Sequence, residues 1–72
     1  MNKDELKKVI IDLLSKEGPK TSTEIRDILL EKGLEFDMVE FREALADLVR
    51  EGKVKKEPDY EKKKFLFSIA IG

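Results

Sequence analysis

Neither cysteine nor histidine occurs among the 72 residues of this chain. Disulfide frameworks and thiolate metal sites are thereby excluded, and zinc and haem chemistry lose their usual ligands. Glutamine is also missing and Asn2 is the sole asparagine, while Lys and Glu interleave throughout, a profile that recurs in proteins of hyperthermophiles. No apolar run reaches the roughly 7 to 15 residues of a signal-peptide core, or the roughly 18 of a membrane span, so the sequence predicts a soluble, cytoplasmic protein. Catalytic sets are scarce too. There is no Gly-rich phosphate loop and no nucleophile with a base; the hydroxyls of Thr21, Ser22 and Thr23 are accounted for by helix capping. Carboxylate pairs such as Glu31 and Glu35 fall near a helix end, where solvation explains them. The expectation is a protein that is not an enzyme and carries no cofactor.

What is present is 40% hydrophobic and 43% charged residues with a net charge of −1. Disorder requires low hydrophobicity together with large net charge, so the chain is expected to fold. At this length it buries only about 60% of the surface it exposes when unfolded, which allows one domain with a small core.

Three helices are legible, over residues 3–17, 22–32 and 38–51. Asn2 can cap the first, whose opening turn holds Asp4 and Glu5. Leu6, Val9, Ile10, Leu13 and Leu14 then make one apolar stripe, and Gly18-Pro19 ends it. Thr21 and Glu24 have the spacing of a capping box, opening a second helix that buries Ile25, Ile28 and Leu29 with Leu30 on the flank. Gly33 closes it. Asp37 with Glu40 repeats the start signal for the third helix, in which Phe41, Leu45 and Leu48 face the core. At 100° per residue the opposite face shows Val39, Glu40, Glu43, Ala46, Asp47 and Arg50, with Arg42 on the flank.

After Gly52 the period becomes twofold, with Val54 apolar between lysines and Phe65, Phe67, Ile69 and Ile71 alternating with Lys64, Leu66, Ser68 and Ala70. A two-stranded β-hairpin over residues 53–70 is expected, with Pro58-Asp59 as its turn and room for a minimal strand near Pro19-Lys20. Phe65 and Phe67 could be read as a base-stacking strand, but stacking platforms are exposed and an alternating pair is expected to close the core.

The run Leu45-x-x-Leu48-x-x-x-Gly52-x-Val54, preceded by two short helices, the second joined to the third by the turn Gly33-Leu34-Glu35-Phe36, and followed by an aromatic-rich strand, resembles the winged helix-turn-helix superfamily. The resemblance covers residues from about 4 to 70. It implies an α+β fold of order α-α-α-β-β, three helices of a helix-turn-helix followed by a two-stranded hairpin wing. It also implies one of two uses, since winged helices read DNA, with the wing along the backbone or minor groove, or dock proteins.

Charge separates these uses. Residues 1–20 carry a net +1, residues 21–51 a net −5 and residues 52–72 a net +3. An acidic third helix is a poor guest in a phosphate groove, so the expected nucleic-acid contacts lie mainly on the wing: Lys55, Lys56, Lys62, Lys63 and Lys64, with Lys53 nearby, joined by Arg42 and Arg50 on the helix. The same lysines would also protect an edge strand from pairing. Tyr60 has two readings, a stacking contact or a ring folded back over the hairpin, the second being commoner for a lone tyrosine. Arg26 and Lys20 are further phosphate candidates beside a helix N-terminus.

The expected function is a small protein that binds double-stranded DNA, a transcriptional regulator held through its lysine-rich wing. The alternative is a protein-interaction module of a transcription, replication or repair assembly, docking through the acidic third helix with Val39 and Ala46. A homodimer through the first helix or the C-terminal strand, where Leu66, Ile69, Ala70 and Ile71 add apolar surface, is compatible with either.

Overall fold

The computed structural model describes residues 1–70; the expectations at Ile71 lie outside the described residues. The elements run α1 (Lys3–Glu17), β1 (Lys20–Thr21), α2 (Ser22–Glu31), α3 (Met38–Arg50), β2 (Val54–Asp59) and β3 (Lys64–Ile69). This α+β arrangement is compatible with a winged helix. No helix among the described residues is long and apolar enough to cross a membrane.

Each helix starts at the expected cap. The Asn2 side chain accepts the Glu5 N–H at 2.8 Å. Thr21 and Glu24 form the reciprocal box, the threonine hydroxyl accepting the Glu24 N–H at 3.2 Å and the glutamate accepting the Thr21 N–H at 2.9 Å. Asp37 caps α3 differently, accepting the Val39 N–H at 2.6 Å. α2 and α3 each end one residue earlier than expected, at Glu31 and Arg50, ahead of Gly33 and Gly52. Both glycines adopt positive φ, 81° and 77°, which lets the chain reverse without a Cβ penalty. At the second of them the Lys53 N–H reaches back to the Leu48 carbonyl at 2.9 Å.

The core draws on every layer: Leu6, Ile10, Leu13 and Leu14 from α1, Ile25 and Leu29 from α2, Phe41, Ala44, Leu45 and Leu48 from α3, and Val54 and Phe67 from the sheet. Val9 and Ile28, expected in the buried stripes, are only partly buried against it, and Leu30 is exposed.

The sheet has three strands, not the two of a hairpin wing alone, because the minimal strand allowed for near Pro19-Lys20 forms at Lys20–Thr21; the order is β1-β3-β2 with both pairings antiparallel. Lys20 pairs with Phe67 and Thr21 with Leu66, so the two residues before α2 are held against the central strand. The hairpin turn also differs. Pro58 and Asp59 end β2, paired with Phe65 and Lys64, and the reversal falls on Tyr60 to Lys63. Proline is tolerated there because β2 is an edge strand and the missing N–H leaves no ladder bond unmade. Asp59 then organises the turn, its carboxylate accepting the N–H groups of Glu61 at 3.1 Å and Lys62 at 3.3 Å, and Lys63 takes positive φ, 56°.

Phe65 departs furthest from expectation. It lies on the same sheet face as Phe67, but two residues nearer the hairpin tip, where the helices no longer cover that face. Phe67 is buried while Phe65 is 49% exposed. Alternation identified the face correctly; how far the hairpin projects beyond the helices is not a local property of the strand.

Candidate nucleic-acid interface

The charges of α3 separate onto two flanks. Arg42, Ala46 and Arg50 recur every four residues and form one straight stripe, a spacing that places side chains above one another on a helix. Asp47, expected on the open face, is only 7% exposed. It turns towards α1, where one carboxylate oxygen takes the Lys3 ammonium at 2.9 Å while the other accepts from the Arg50 guanidinium. One turn on, Lys7 reaches Glu51 at 2.8 Å. Periodicity places residues relative to the core of their own helix; it does not report that lysines of another helix will neutralise one flank.

These pairings shift titration. The hydrogen bond from Lys3, with that from Arg50, holds the Asp47 carboxyl below its ordinary range, and the same contact raises Lys3. The hydrogen bond from Lys7 lowers Glu51. The Thr21 backbone N–H lowers Glu24.

The arginine stripe faces the hairpin across an open groove. Its main hollow, about 500 Å³, lies between α3 and the sheet, with Leu45, Val49 and Phe67 as an apolar lining and Arg42, Arg50 and Lys56 around them. A smaller hollow of about 200 Å³ runs between the starts of α2 and α3 and adds Arg26. A third, about 400 Å³, runs out along the hairpin and adds Lys64 and Phe65. Ser22 borders all three, which joins them into one surface. Arg26, Arg42, Arg50, Lys56 and Lys64 line that surface, and no Asp or Glu does. Among the described residues Arg42, Lys56 and Lys64 form no ion pair, whereas Arg26 is held by Asp27 at 2.9 Å and Arg50 by Asp47.

The expected contact residues divide accordingly. Arg42, Arg50, Lys56 and Lys64 come together on the groove. Lys55 points to the other sheet face, 3.2 Å from Glu57. Lys62 bends back towards Glu24, 3.7 Å away. Lys63 borders a hollow at the hairpin tip with Tyr60, whose ring is 84% exposed and does not fold back over the hairpin. Arg26 joins the groove, whereas Lys20 is not among the residues that line it. Sequence reasoning missed Ser22 and Thr23, read only as part of a cap, and took Phe65 as core. For Ser22 the available signal was its place as the first residue of α2, next to the Thr21 cap.

The chain matches no protein-family model, no curated protein and no solved structure at a significant level.

Proposed function

We propose that this chain is a winged-helix DNA-binding protein, acting as a regulator of transcription, with the groove between α3 and the hairpin as its contact surface. The observation that carries the reading is that five cationic residues, and no Asp or Glu, line one concave surface in a chain whose net charge is −1. Charge concentrated this way creates a local positive potential against a neutral background, as phosphate binding requires. α3 supplies a helix of 13 residues, about 20 Å long and narrow enough for a major groove about 12 Å wide. Arg42 and Arg50 would meet phosphates from the helix, Lys56 and Lys64 from the hairpin. Contact thereby moves from the hairpin tip towards its inner face.

Fluorescence anisotropy against duplex DNA at two salt concentrations tests this. Phosphate contacts release counterions, so affinity must fall steeply with salt. Absent binding at low salt, or binding indifferent to salt, would sink the proposal.

The second reading, a protein-docking module of a transcription, replication or repair assembly, draws on Val39, which is 58% exposed and close to Glu40 and Glu43. It is weaker than the sequence alone implied, because Asp47 is already engaged by Lys3 and Arg50 and Ala46 belongs to the groove. Affinity purification that recovers no specific partner would count against it. Of the two dimer surfaces, α1 is the better, since β3 lies at the centre of the sheet.

A further inference from the structure

Phe65 sits at the outer end of the basic groove with its ring half in solvent. The Lys56 ammonium lies 4.4 Å from the ring centroid, and Lys64 precedes it on the strand. The inner hollow beside the ring, about 400 Å³, is bordered by Ser22, Thr23, Lys56, Lys64 and Phe67. A second hollow of about 270 Å³ lies on its outer side with Tyr60 and Lys63. A lone exposed Phe is unremarkable, but an exposed ring bracketed by unpaired lysines at the end of a cationic track is the combination that single-strand binders use, charge following the backbone and an aromatic face taking a base.

Within a duplex both faces of every base but those of the terminal pairs are already covered by its neighbours. A base outside the stack is free to lie on Phe65. We infer that Phe65 is a stacking platform for an unpaired base, and that the favoured ligand is duplex DNA carrying a single-stranded extension. The duplex lies on the arginine stripe of α3, and the first unpaired base enters the inner hollow against Phe65. Lys56 then pivots from the ring to the adjoining phosphate. This rests on the DNA-binding reading above and adds the form of DNA recognised.

The test compares a blunt duplex with the same duplex bearing an oligothymidine extension. Wild-type protein is expected to bind the extended form more tightly, by roughly 5- to 150-fold, the range one base–aromatic stack confers. Phe65→Ala should remove that preference, so that the variant binds the extended and the blunt duplex with equal affinity. Phe65→Leu, which keeps apolar bulk without a π face, gives the same answer should the alanine variant melt early. The chain has no tryptophan, so Phe65→Trp introduces a single reporter whose emission should be quenched by the extended DNA and not by the blunt duplex. Equal wild-type affinity for the two DNAs, a preference that survives Phe65→Ala and Phe65→Leu, or an unquenched reporter in a formed complex overturns the inference while leaving duplex binding standing. Failure to bind either DNA removes both readings together.

Discussion

The Arg50 guanidinium donates to the carboxylate of Asp47 three residues earlier on α3, and Lys3 of α1 holds the other oxygen of that carboxylate. Asp47 therefore fastens two helices and restrains a groove cation at once. Asp47→Asn keeps the shape and removes the charge. The variant should melt at a lower temperature and bind duplex DNA more tightly, with the slope of log affinity against log salt steeper by up to about 0.9, the value of one phosphate contact. Unchanged affinity and slope would show that Arg50 already leaves Asp47 when DNA binds.

The groove and the hairpin tip make different demands on their lysines. Arg42→Ala and Lys56→Ala should each weaken duplex binding and flatten the salt slope by about 0.9. Lys55→Ala and Lys62→Ala should do less, because the first faces away, towards Glu57, and the second lies near Glu24. A titration in which Lys62→Ala costs as much as Arg42→Ala would relocate the interface to the tip.

Stability should fall at both ends of the pH scale. Asp47, Glu24 and Glu51 are more acidic in the folded chain than is usual for a carboxyl, so their contribution is complete above the unfolded value, about 4, and is lost as pH drops through the folded values. Lys3 is raised above the ordinary lysine value of 10.5, so its contribution is complete below that value and is lost as pH climbs through the folded one. Denaturant midpoints measured across pH report both limbs. Asp47→Asn should flatten the acid limb and remove the alkaline contribution of Lys3; identical limbs in wild type and variant would mean that the Lys3–Asp47 pair does not form in solution.

Two local substitutions test the backbone devices. Thr21→Ala removes one half of the capping box at a buried position and should cost about 1–2 kcal/mol, with Thr21→Ser recovering most of it. Lys63→Gly relieves a left-handed residue in the hairpin turn and should add about 0.5 kcal/mol, the strain released less the flexibility that glycine gives the unfolded chain. Chemical denaturation reads both, and a destabilised Lys63→Gly would refute the strain argument.

Features set by neighbours in sequence were legible before the structure. The caps at Asn2 and Thr21, the breaks at Gly18, Gly33 and Gly52, and most of the buried stripe of each helix follow from spacing and local chemistry. What escaped depends on contacts distant in sequence. Asp47 lies 44 positions from the lysine that claims it, and no period of α3 contains Lys3. Phe65 carries the same alternation as Phe67; only the reach of the hairpin past the helices separates them. Pro58 marked a turn by composition, but the edge position of β2 let the strand run through it. At the candidate site the charged residues were named one by one from the sequence, whereas their grouping on one surface depends on how α2, α3 and the hairpin are placed.

Thr21 closes β1 against Leu66 and in the same residue caps α2. The hairpin and the helix that borders the groove thus meet at one pivot. A single change at Thr21 would therefore act on a strand end and a helix start together, beside the Ser22 that borders all three hollows.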